Sequence, residues 1–160
     1  MQPYYFYRVN NWGHILNLLR QSLYAEEMVC AMSSELFHIP KTKDLKGNLE
    51  MHNHLVPAYY HLRYSSRFIP ETSKWRATAI HCRNTGGLYK NAENQDKYVR
   101  EGLRTMEENA STEFKPFIKI IIKWQEQAES YLNQAKESLG TMGVPIPAGS
   151  EQQSGEYNLY

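Results

Sequence analysis

The apolar residues Phe117, Ile121, Trp124, Ala128, Tyr131 and Ala135 follow a 4-3-4-3-4 rhythm. That spacing averages 3.5 residues, the period at which a helix keeps one stripe against a neighbouring helix. It is the strongest constraint in the chain. A strand would bury alternate residues, so the short run Phe117–Ile122 is not one. Ile118, Ile120, Ile122 and Leu132 widen the apolar surface beyond a single stripe. The helix therefore belongs inside a bundle. Gly140 is its expected C-terminal cap, with Lys136 in the last turn.

The rest of the chain reads the same way. Asn10 and Asn11 are N-cap candidates for a first helix. Ile15, Leu16, Leu19 and Leu23, with Leu18, Ala25, Val29, Met32 and Leu36, recur at helical spacing. Pro40 stops that helix, because a residue before proline is pushed out of the α region. A polar loop from Lys41 to Gly47 follows. A second helix is expected over 48–68, capped by Asn48, kinked at Pro57 and ended by Ile69-Pro70. A third is expected over 71–85, stopping at Gly86-Gly87, and a fourth over 90–109. Ser111 or Thr112 would cap the last.

The expected fold is thus all-α: a four- or five-helix antiparallel bundle over residues 10–143. Residues 1–9 form an aromatic N-terminal arm and 144–160, rich in Pro, Gly, Ser and Gln, a flexible C-terminal tail. At 160 residues one domain is expected. Cys30 and Cys82 are too few for a disulfide framework and read as free thiols in a reducing compartment. The first residues lack the basic and apolar blocks of a signal peptide, and no apolar run approaches a membrane span. A cytoplasmic protein without membrane contact is the expectation.

The net charge of +1 hides a segregated layout. Residues 1–50 carry five basic and five acidic groups. Residues 51–90 carry six basic groups (Arg63, Arg67, Lys74, Arg76, Arg83 and Lys90) against Glu71 alone. Residues 91–160 carry seven basic and eleven acidic groups. Tyr59, Arg63 and Arg67 share one helical ridge, Tyr60 and Tyr64 the next, and Trp75 and Tyr89 lie further along. Guanidinium forks bind phosphate or carboxylate oxygens, and aromatic faces stack on bases. Segment 59–90 therefore suits an anionic partner, a nucleic acid or an acidic protein. Internal pairing of Arg63 and Arg67 with Glu101, Glu107 or Glu108 is the competing account.

Both chain ends are loaded with aromatic residues: Tyr4, Tyr5, Phe6, Tyr7, Tyr157 and Tyr160. Tyrosine brings rigid area and a hydroxyl to interfaces. These residues are expected to contact neighbours in a homo- or hetero-oligomer, or to fold over their own core. The resulting expectation is a non-enzymatic binding and assembly protein, a structural subunit of a larger complex, with no cofactor.

Two catalytic or metal readings compete with it. Arg76 and His81, separated by four residues, resemble the R-x4–6-H signature of HEPN ribonucleases. The resemblance implies a metal-independent ribonuclease built from a dimer of helical bundles. Its histidine would move the 2′-hydroxyl proton and its arginine steady the phosphorane. Glu35 and His38 have the Glu-x-x-His spacing of carboxylate-bridged di-iron bundles, but no second copy exists in the chain. Glu50, His54 and His61 share a face only if the helix stays straight past Pro57. No metal site is expected.

Overall fold

A computed structural model of the chain describes residues 9–74 and 79–141. They form four helices: α1 (Val9–His38), α2 (Asn48–Lys74), α3 (Ala79–Asn109) and α4 (Lys115–Thr141). No strand occurs among the described residues. α1 packs on α2, α2 on α3, α3 on α4, and α4 closes the ring against α1. This is the all-α bundle that the 3.5-residue rhythm demands.

Each helix presents one fully buried seam at alternating steps of three and four. On α1 it is Ile15, Leu19, Ser22, Glu26, Val29, Ser33 and Leu36. On α2 it is Asn48, Met51, Leu55, Ala58 and Leu62. On α3 it is Ala92, Asp96, Val99, Leu103 and Met106, and on α4 Ile118, Ile121, Gln125, Ala128, Leu132 and Ala135. The α4 seam is therefore displaced from the expected one. Ile121, Ala128 and Ala135 are shared, but Phe117, Trp124 and Tyr131 are only half-buried and line its edge. The large apolar residues Val29, Leu36, Met51, Leu55, Val99, Leu103, Met106, Ile118 and Ile121 form one core cluster. Burying each such side chain contributes about 1.5–3 kcal/mol.

Several expected boundaries are corrected. α1 begins at Val9, so Asn10 and Asn11 lie within its first turn and do not cap it. α2 runs through Pro57 and Pro70 to Lys74 without a break. α3 runs through Gly86-Gly87, where a stop was expected, so the segments 71–85 and 90–109 are not separate helices. An interior Gly or Pro weakens a helix by about 1 or 3 kcal/mol. Helices of 27 and 31 residues with a packed seam offset that. α4 likewise continues through Gly140 to Thr141.

Asn48 is not a conventional N-cap either. Its buried amide donates to the Thr42 and Lys43 carbonyls, at 3.3 Å each, and ties the 39–47 loop together. The Gly47 carbonyl receives the first helical bond, from Met51 N–H at 2.9 Å. Gly47 has φ +94°, which an L side chain resists. A Cβ there would lie 2.7 Å from the Gly102 carbonyl oxygen, and a Cβ on Gly102 would lie 2.7 Å from Met51 Cβ. Two glycines thus let α2 and α3 approach closely. At the other joint, Ser111 carbonyl accepts N–H from Phe114 and Lys115, and Pro116 falls in the first turn of α4, where its missing N–H is harmless.

Candidate functional site: a buried carboxyl layer and two grooves

The seams of three helices each carry a polar residue at one level of the bundle. Glu26 from α1 and Gln125 from α4 are fully buried, and Asp96 from α3 is 1% exposed. Gln125 Nε2 donates to Asp96 Oδ1 at 3.0 Å and reaches Glu129 Oε2 at 3.4 Å. Glu129, half-buried on the next turn of α4, accepts from Arg100 Nη1 at 2.7 Å. Nearby, Ser22 Oγ donates to the Ala128 carbonyl at 2.7 Å, fixing α1 against α4 beside the layer.

Glu26 Oε1 and Oε2 and Asp96 Oδ2 are buried and receive no N–H or O–H from their surroundings. The Glu26 and Asp96 carboxyls are close enough in the core to influence each other's ionisation. Two ionised carboxylates cannot bond, since both only accept. Burial pushes Glu26 well above the usual carboxylate range, and the charge of Asp96 pushes the same way. Asp96 is also raised by burial, but its hydrogen bonds from Glu26 and Gln125 and the Arg100 charge oppose the shift. Asp96 thus has influences that favour its ionised form, and Glu26 has none among its principal ones. Glu129 is pushed up to about 7 by burial and by Asp96, against the pull of Arg100. Cys30, one turn after Glu26, is a free thiol, pushed up to about 11 by burial.

The layer reaches the surface between α3 and α4. There a groove of about 570 Å³ is lined by Glu93, Asp96, Lys97, Arg100, Glu129 and Asn133, among others. Lys136 and Glu93 pair across it at 3.6 Å. A second groove of about 360 Å³ lies between α1 and α4. Its walls are Arg20, Gln21, Tyr24, Ala25, Trp124, Gln127 and Tyr131. Tyr24 is 58% exposed and meets Trp124 edge-on, with ring centroids 5.9 Å apart.

Of the residues expected to bind an anion, only Arg63 has a described side chain, half-buried on α2. Tyr59 and Tyr60 are half-buried and pack edge to face, 5.4 Å between centroids. Arg67, Lys74, Arg83 and Lys90, with Tyr64 and Tyr89, lie on α2 and α3, but their side chains are outside the described residues, as are Trp75 and Arg76 entirely. His81 falls in the first turn of α3, its side chain also outside, as is that of Cys82. Tyr4, Tyr5, Phe6, Tyr7, Tyr157 and Tyr160 lie outside too.

The histidine and acid pairs separate. Glu35, His38 and Glu50 are exposed, whereas His61 is buried. Burial lowers the His61 imidazole to about 4. His54 donates from Nδ1 to Gln95 Oε1 at 2.7 Å and stacks on Tyr98, 4.6 Å between centroids. Among the described residues no group of three or more His, Cys, Asp or Glu is placed to hold a metal ion. No described helix is long and apolar enough to cross a membrane. Comparison with protein families, with curated proteins and with solved structures finds no match to this chain.

Proposed function

We propose that this chain is a non-enzymatic binding and assembly protein, a structural subunit that docks against neighbours in a larger complex. The observation that supports this best is the α1–α4 groove. Tyr24, Trp124, Tyr131 and Arg20 converge on it, and Tyr, Trp and Arg are the side chains that most often dominate binding at interface centres. Tyr24 leaves more than half of its surface in water, and Ile120, one turn before Trp124, is 47% exposed. Both leave large apolar surface in water, Tyr24 on α1 and Ile120 on α4. The aromatic chain ends and the basic segment 59–90 would add further contacts, the latter to an anionic partner.

Sedimentation velocity over a range of concentrations tests the reading. Concentration-dependent association, weakened by Tyr24→Ala with the helical circular dichroism unchanged, is the expected result. A monomer at every concentration that also recovers no stable partner from its native source would overturn it. The anionic partner is tested separately by RNA affinity against salt. Contacts to several phosphates predict a steep loss of affinity between low and moderate salt, and a weak, flat response removes nucleic acid from the reading.

A further inference from the structure

We propose that the Glu26–Asp96–Glu129 layer is a proton-operated clamp. One proton held between Glu26 and Asp96 ties α1 to α3, and its loss to solvent through the α3–α4 groove loosens the bundle at that level.

The geometry carries it. Three carboxyl groups from three different helices meet at one level, and the arginine at that level, Arg100, is already engaged by Glu129. Of the three Glu26 and Asp96 oxygens without a donor, a single proton joins two, one from each residue. With the proton present, Glu26 O–H donates to Asp96, whose other oxygen accepts from Gln125, so the chain α1–α3–α4 is continuous. With the proton gone, two buried carboxylates face each other and no hydrogen bond joins them. Breaking such a pair leaves uncompensated charge in the core, which is strongly destabilising. The proton has a short exit. Asp96 and Glu129 both line the groove, Glu129 half-buried and Asp96 beneath it.

Lys97 lines the same groove from α3. α1 contributes Glu27 and the Cys30 thiol, α3 contributes Glu93, Arg100 and Arg104, and α4 contributes Glu129 itself. On α2 the buried His61 is kept neutral above about pH 4 by burial. Each acid in the layer is raised in the folded chain, so the folded state binds more protons than the unfolded one. Stability is then fully present below the ordinary carboxylate range and falls as pH rises. For Glu129 the fall spans its ordinary value of 4.5 up to about 7, and for Glu26 it reaches well above its ordinary 4.5.

Urea unfolding of the full chain between pH 5 and pH 8.5 tests the clamp, with Glu26→Gln as the decisive variant. Glutamine keeps the shape and a permanent N–H donor toward Asp96 but cannot ionise. The wild-type midpoint should fall steadily as pH rises, and the Gln variant should lose at most half as much over the same range. A wild-type midpoint that is flat or rising, or a variant with the wild-type slope, overturns the proposal. Should Glu26→Gln not fold, Asp96→Asn gives the same comparison from the other side of the bond. Failure of both to fold, while the wild type shows no pH slope, also overturns it.

Discussion

Gln125 donates its side-chain amide to Asp96 over 3.0 Å, joining the only polar residue of the buried α4 seam to the only carboxylate of the α3 seam. The pair sits where a coiled-coil-like bundle ordinarily places leucine or isoleucine. A polar layer of this kind fixes which levels of neighbouring helices align, because any shift in register strands a buried donor or acceptor. Glu26 completes the layer from α1.

Replacing Gln125 by Leu should therefore destabilise the fold even though it adds apolar surface. Asp96 Oδ1 would lose its donor, and an orphaned buried acceptor costs about 1–3 kcal/mol. Urea denaturation at pH 6 measures it. Unchanged or increased stability would mean that the amide is dispensable.

Gly102→Ala should lower stability by about 1–3 kcal/mol, the usual range for overpacking. The added Cβ would meet Met51 Cβ at 2.7 Å and Met51 Cα at 3.0 Å, so backbone as well as side chain has to move. Thermal unfolding reads this directly. Met51→Ala in the same chain keeps both of these atoms, so it should give no rescue.

Arg100→Gln should raise the titration point of Glu129 above its present value of about 7, because the guanidinium 2.7 Å from Oε1 is holding it down. Carboxyl-selective NMR follows the group. A Glu129 that titrates unchanged would show that the ion pair is not formed in solution.

Ser22→Ala should cost about 1 kcal/mol, the net value of one buried neutral hydrogen bond, since the Ala128 carbonyl loses a donor 2.7 Å away. Ser34→Ala is the control. Its hydroxyl also bonds a carbonyl, that of Ala31, but on the exposed face, where water replaces it. Comparable losses in both variants would show that burial does not decide the value.

The helix content was legible because each helix keeps a strict 3.5-residue seam, but the identity of the seam was less so. On α4 the eye follows the bulkiest residues, and Phe117, Trp124 and Tyr131 lie one step from the buried line. The buried positions Ile118, Gln125 and Leu132 recur every seven residues, and a polar residue in the middle of such a series is itself the signal of a core layer. Ser22, Glu26 and Ser33 interrupt the α1 seam in the same way. Which of them meets Asp96 depends on how three helices align, and no spacing within one helix contains that. Gly86-Gly87 misled for the opposite reason. Local propensity favours a stop there, while the packing that carries α3 through it is tertiary. Charge segregation was plain in the sequence, yet the acids at the heart of the structure are set apart from it, because a formal charge count assumes that every carboxyl is ionised.

The central structural claim is that Glu26 carries a proton at neutral pH inside the folded chain. Infrared difference spectroscopy between wild type and Glu26→Gln at pH 7 measures this most directly. The account predicts a protonated-carboxyl C=O band in the wild type that is absent from the variant, with no matching loss of carboxylate intensity. Loss of carboxylate intensity alone, with no protonated band in either protein, would contradict it.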